Sequence, residues 1–321
     1  MTTEIGALPE PQRQSRTRMV VVVIIQVLCV AFVAHTLWKS RSDFDAMPKI
    51  GVVDVVFLFG LNAVGHLQRT LEFTYMLRRL GVREPFGEGF LLTGAGFLLN
   101  HLPFNAGFIM RAVVLRRDHA LPYSSYVSLT MVNAVVNIGV GALLGAIGLS
   151  LGERSSHVSS LVIGGLVALL AASILSLYLP ALPVPGGSNV VARQVRNLAR
   201  GVTLLRGNGA AVAFMALLAF SKIVFIALRL AICFNLLQRP LSAVGTLLVA
   251  VVQNLMAIVN VTPGNLGLRE IVVSVMSAEF GTSQSIGLAA ASIDRVVSLL
   301  YAVTVGLPGI RSVSSRTRRA A

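Results

Sequence analysis

Apolar runs of about twenty residues, the length that crosses a hydrocarbon core, begin near Met19, Gly51, Tyr123, Val158, Gly209 and Gln284. They predict six membrane-spanning helices. Two further apolar segments are interrupted: Phe86 to Leu115 at Pro103 and Gly107, and Ala243 to Phe280 at Pro263, Gly264 and Gly267. Proline removes a backbone donor and glycine loosens the helix, so each segment predicts two short helices joined at a break. The first is too short to cross a bilayer twice. Both are expected to be re-entrant hairpins.

The interrupted segments repeat each other. Asn100-His-Leu-Pro103-Phe-Asn-Ala-Gly107 and Asn260-Val-Thr-Pro263-Gly-Asn-Leu-Gly267 share the pattern N-x-x-P-x-x-x-G at a displacement of 160 residues. The same shift carries Arg69 onto Arg229, and a shift of 161 carries Asn133 onto Asp294. Each half then holds two spans, a hairpin and a third span. Because the number of crossings per half is odd, the second half must run upside down relative to the first, as in inverted-repeat transporters. The expected fold is an all-α polytopic membrane protein, an inverted-topology repeat of about six transmembrane helices plus two re-entrant hairpins. Eight ordinary spans with proline kinks are the alternative.

Composition agrees with a membrane protein. The chain is 55% hydrophobic and 12% charged, with a mean hydropathy of +0.78, against about 25% charged residues in soluble domains. The run from Met19 to Trp38 follows Arg13, Arg16 and Arg18 as a signal peptide would. It is longer than a signal core and no A-x-A site follows, so it is read as an anchor. Cys29 and Cys233 fall inside expected spans and are read as small packing residues.

The net charge of +14 matters through its distribution. Sixteen arginines fall on one side of the expected map, at 13–18, 78–83, 116–117, 193–206 and 311–319. The other side holds Lys39, Arg41, Lys49, Arg154 and Arg239. The excess of positive charge in cytoplasmic loops places both termini in the cytoplasm. It predicts anionic lipids at that face, in the cell membrane, and not nucleic acid, for which no basic module with interleaved aromatics is present. The expected organisation is a disordered tail over 1–18, a first repeat over 19–150, a second over 151–309 and a basic tail over 310–321. A cytoplasmic linker and surface helix at 181–206 interrupt the second repeat.

Chemistry is expected from charges at membrane depth. Arg69, Arg111, Lys222, Arg229, Arg269 and Arg295 stand against Asp54, Glu72, Glu270 and Asp294. A charge at a helix centre costs about 2.5–3.5 kcal/mol on insertion scales, so such residues face a partner or a wet cavity. Six bases against four acids leave a positive surplus that an anionic ligand would balance. Arg111, Arg269 and Arg229, with Asn100 and Asn260 at the two breaks, are the candidate substrate-binding residues. Glu270, Asp294, Arg295 and Arg69 form the candidate charge network. The helix after Pro263-Gly264 is expected to aim unpaired N–H groups at the break, which favours an anion beside Arg269. Alternatively Arg269 pairs only with Glu270 or Asp294 and locks the fold. Arg69 and Glu72, three apart, are read as a local helical pair. Asp294 and Arg295, adjacent on one helix, must find partners elsewhere.

The P-x-x-x-G-x-x-x-R of Pro103, Gly107 and Arg111, the P-G-x-x-G-x-R-E of Pro263 to Glu270, and Asp294-Arg295-Val-Val-Ser together resemble a known family. It is the lysylphosphatidylglycerol synthase transmembrane region, also called flippase-like, and the resemblance runs from about Met19 to Gly309. It implies movement of a lipid or lipid-linked headgroup, such as a polyprenyl-phosphate type, between leaflets, with a glycosyltransferase or synthase as partner. No segment of this sequence reads as the soluble aminoacyl-transferase domain of some members, so synthesis of aminoacyl lipid is not expected. Asn133 and Asn137 stand where the family tends to carry an E-R-x-x-D-like element. No metalloprotease, phosphate-loop, aspartate-rich or cysteine–histidine motif is present, so neither an enzyme nor a metal or other cofactor is expected. The alternatives are a secondary transporter of a small anion and a non-transporting accessory subunit.

Overall fold

The computed structural model describes residues 51–101, 105–151, 160–178, 196–199, 201–203, 208–259 and 265–320. The expectations for the 1–18 tail, the first apolar run, Pro103, Asn260, Pro263, Gly264 and most of the 181–206 linker lie outside these residues. All regular structure among the described residues is helical: α1 (Val52–Arg79), α2 (Phe86–Leu99), α3 (Ala106–His119), α4 (Tyr123–Leu151), α5 (Ser160–Tyr178), α6 (Gly209–Leu236), α7 (Ala243–Val259), α8 (Leu268–Glu279) and α9 (Gln284–Ala320).

Three of these helices are long and apolar enough to cross a membrane: Tyr123–Leu151, Gly209–Leu236 and Gln284–Arg316. α1, with 28 residues, has the length, but His66, Arg69, Glu72 and the terminal Arg78 and Arg79 dilute its apolar character. Asp54, placed at membrane depth by the sequence, instead lies in the first turn of α1 and accepts the Gly51 N–H at 3.1 Å. The apolar stretch of α5 is shorter, Gly164–Ser176. Exposed apolar side chains line single faces at helical spacing. On α9 these are Val296, Leu300, Val303 and Leu307; on α1, Val53, Val56, Phe57, Val64, Leu67 and Leu71. Fully buried positions include Asn62, His66, Thr70, Asn254 and Asp294. Apolar residues outside and polar ones inside are the arrangement of a multi-pass protein in lipid, where the solvent rewards burial of polar groups.

Both interrupted segments form two short helices around a break. α2 and α3 flank 100–105, and α7 and α8 flank 260–267. Asn105 and Asn265 occupy the same motif position, and both adopt left-handed backbone, φ 53° and 52°. Asparagine tolerates this conformation better than other residues with a side chain. Gly107 lets α3 lie close on α2: a Cβ there would overlap the carbonyl oxygen of Gly96. Gly267 has φ 80° immediately before α8.

Packing interleaves the two halves of the chain. α9 lies along α2 and α4 lies along α7, while α1 packs on α6. Small residues mediate both long contacts. Gly145 and Gly148 of α4 face Val251 and Leu248 of α7, and Gly306 and Gly309 of α9 face Leu98 and Leu91 of α2. In lipid, where the hydrophobic effect is spent, such close backbone approach supplies the packing energy. The shift of 161 that relates Asn133 to Asp294 also relates Gly145 to Gly306 and Gly148 to Gly309.

The last helix runs on beyond Gly309. Residues 310–320, read from sequence as a solvated tail, continue α9. Arg316 anchors them, reaching Glu88 at 2.8 Å, Glu84 at 3.2 Å and Asp118 at 3.6 Å. His119 Nε2 approaches the second oxygen of Glu84 at 2.5 Å. This cluster ties the end of α9 to the α1–α2 loop and the end of α3.

Candidate functional site

Asn100, His101 and Asn265, at the described edges of the two breaks, and the middles of α1, α6 and α9 surround one cavity of about 340 Å³, partly open to the exterior. Its wall carries five cations: Arg69 from α1, Lys222 and Arg229 from α6, Arg269 from α8 and Arg295 from α9. No carboxylate among the described residues lines it. Asn100 and Asn265, one from each break, contribute amides, as do Gln68 and Gln253.

Three of the cations have acids behind them. Asp294, 0% exposed on α9, receives Arg229 Nε at 2.8 Å and Nη2 at 3.4 Å. The same carboxylate also accepts from Arg269 Nη2. With its amide oxygen turned inward, Gln253 accepts from Arg269 Nε at 3.0 Å and Nη2 at 2.9 Å. Arg295 Nε lies 2.6 Å from Glu270 Oε1, an ion contact whose angle falls outside hydrogen-bond geometry. Glu270 Oε2 accepts the Gly267 N–H at 2.8 Å. One carboxylate thus caps α8 and faces Arg295 together. The α8 N-terminus, expected to offer its N–H groups to a ligand, has the first of them taken by its own Glu270.

The other two cations are held differently. Arg69 lies over the Phe97 ring, 4.2 Å from its centroid. Lys222 Nζ donates to Asn137 Oδ1 at 3.2 Å. Neither has a carboxylate in ion-pair contact among the described residues. Glu72 is buried one turn from Arg69, but the expected local pair is not formed and its Oε1 has no hydrogen-bond partner. A helix-spaced pair needs both side chains on the surface strip they share. Here Arg69 turns to the ring and the cavity instead.

The structure therefore gathers Arg69, Arg229, Arg269, Arg295 and Asn100 around one space, with Asp294 and Glu270 directly behind. Arg111 and Gly107 are not on that wall. Arg111 Nε donates to Gly107 O at 3.2 Å, and its side chain packs on Gly96. Asn260, Pro263 and Gly264 lie outside the described residues. The sequence reading passed over Asn105 and Asn265, although an identical asparagine in both motif copies was visible. It also passed over Gln253, which nothing in the local sequence distinguishes. Among the described residues no group of three or more His, Cys, Asp or Glu could hold a metal.

Chemically, the cavity wall is a cluster of hydrogen-bond donors with fixed positive charge inside an apolar shell. Guanidinium groups bind carboxylate and phosphate through paired N–H donors. Residues 18–306 match the family described as the lysylphosphatidylglycerol synthase TM region. No curated protein and no solved structure matches the chain.

Proposed function

The chain belongs to the lysylphosphatidylglycerol synthase TM region family, a membrane domain, and we propose that it moves an anionic phospholipid or lipid-linked phosphate headgroup between membrane leaflets. One observation carries this reading: five cations converge on one cavity in the apolar part of the molecule, with no acid on its wall among the described residues. Partial opening of the cavity supports a ligand with a lipid tail over a small anion held in a sealed chamber. Asp294 and Glu270 are buried and committed to arginines, which supports transport over group-transfer chemistry.

The interleaved packing supports the inverted-repeat reading. Exchanging α1 with α6, α2 with α7, α3 with α8 and α4 with α9 turns the α2–α9 contact into the α7–α4 contact, and α1–α2 into α6–α7. In that reading α2–α3 and α7–α8 are re-entrant hairpins entering from opposite faces, and both termini are cytoplasmic. The breaks meet at the cavity, where both Asn100 and Asn265 lie.

The test is transbilayer movement of a fluorescent anionic lipid in proteoliposomes. The wild-type chain accelerates quenching of inner-leaflet probe, and Arg269→Ala abolishes that acceleration while the protein still elutes as a folded species. Unchanged rates in that variant overturn the proposal.

A further inference from the structure

Charge compensation in the cavity is lopsided. Arg229 and Arg269 share Asp294, and Arg295 faces Glu270. Among the described residues, the direct contacts of Arg69 and Lys222 in the same space are a ring face and an amide oxygen. Neither contact cancels a charge. Even when Glu72 is counted, five cations meet three carboxylates, leaving a surplus of two among the described residues.

The duplication sharpens the point. Arg229 and Asp294 form an ion pair, and their counterparts in the first half are Arg69 and Asn133. An amide stands where the second half has its carboxylate. Asn133 is occupied with Asn137, whose Nδ2 donates to its backbone oxygen at 2.9 Å and to its Oδ1 at 3.1 Å. Asn137 Oδ1 in turn meets Lys222. That side of the cavity thus presents Arg69 from the first half, Lys222 from the second and amides between them, and at the position of the acid that would complete the pair the chain carries Asn133.

The geometry points to the Arg69–Lys222 side of the cavity as the seat of a phosphate group carrying two negative charges, a phosphomonoester or diphosphate, in preference to a singly charged phosphodiester. This rests on the anionic-headgroup reading above and names the class of headgroup. A monoester brings about −1.5 to −2 charges and three acceptor oxygens at neutral pH. That matches the surplus over the whole cavity, one charge of which lies on the Arg229–Arg269–Asp294 group and the other on Arg69 and Lys222 beside Glu72. A diester leaves one cation uncompensated in a low-dielectric site, an arrangement that is costly in the membrane. Arginine cannot relieve the strain by losing its proton.

Purified protein in detergent is titrated calorimetrically with methyl phosphate, pyrophosphate and dimethyl phosphate. In nanodiscs it is compared on phosphatidic acid and phosphatidylglycerol. The dianions are expected to bind at least tenfold tighter than dimethyl phosphate. Arg69→Gln and Lys222→Gln each remove that preference, and Arg239→Gln, at an exposed position outside the cavity wall, keeps it. Asn137→Asp, which sets a carboxylate against Lys222, serves as the second variant where a charge deletion fails to fold, and it too removes the preference. A preference for phosphatidic acid without binding of free methyl phosphate assigns the dianion to a lipid headgroup. Binding of the free monoester assigns it to a soluble phosphate. Both support the dianion site. Equal binding of dimethyl phosphate, or a preference surviving in Arg69→Gln and Asn137→Asp, overturns it while leaving the anion cavity standing. Binding of no anion in any arm overturns the transport reading as well.

Discussion

Asp294 holds Arg229 across 65 residues of sequence, Oδ1 to Nε at 2.8 Å, with no exposure of the carboxylate. The same acid accepts from Arg269, so one carboxylate holds two guanidiniums from two helices and leaves a net positive charge on the group. Removing it strands both. Asp294→Asn keeps the shape and deletes the charge, and breaking a buried pair in this way costs about 3–5 kcal/mol. The expected outcome is a large fall in the thermal unfolding midpoint in detergent, greater than for Arg269→Gln, which leaves the Arg229–Asp294 pair intact. Equal midpoints for the two variants contradict the shared-carboxylate account.

Gly107 seats the first-half hairpin. A methyl group there meets the backbone oxygen of Gly96, and backbone cannot swing aside as a side chain can. Gly107→Ala is expected to cost about 1–3 kcal/mol, the usual range for overpacking. Gly164→Ala, where a Cβ meets nothing within 4 Å, is the control and leaves the unfolding midpoint within a degree or two.

Asn254 on α7 is fully buried, and neither amide atom has a hydrogen-bond partner. An unsatisfied buried polar group costs about 1–3 kcal/mol. Asn254→Leu, similar in shape and free of polar atoms, is expected to raise the unfolding midpoint. A lowered midpoint would mean that this amide has a partner in the membrane.

The Arg316 cluster should respond to acid. The hydrogen bond from Arg117, reinforced by the charge of Arg316, holds the Asp118 carboxyl below its usual range. A depressed carboxyl pKa stabilises the fold fully above the unfolded value of about 3.9, and the contribution is lost as pH falls through the lower folded value. Wild type is therefore expected to lose stability below about pH 4 more steeply than Asp118→Asn. Parallel stability curves for the two would remove Asp118 from the cluster's energetics.

Much of the helix layout was legible because it depends on local sequence. The breaks at Gly107 and Gly267 follow from residues that cannot continue a helix comfortably, and the apolar runs of α4, α6 and α9 are long enough to register by composition alone. Adjacent Asp294 and Arg295 point to different sides of a helix, which sent them to separate partners, Arg229 and Glu270. What the sequence could not supply was choice among distant partners. Lys222 meets Asn137 across 85 residues, and only the packing of α4 against α6 brings them together. Arg69 and Glu72 show the opposite error: correct helical spacing did not make a pair, because the Phe97 ring and the cavity competed for the guanidinium. Residues 310–320 extend α9, which their basic composition did not announce; Arg311 is exposed there, whereas three acids from distant segments hold Arg316.

Because α9 is seated on α2 and α4 on α7, there is no seam along which the molecule could hinge like a book. A polypeptide cut between α5 and α6 would part α4 from α7 and α9 from α2, so each fragment would bare a glycine-lined contact that the other covers.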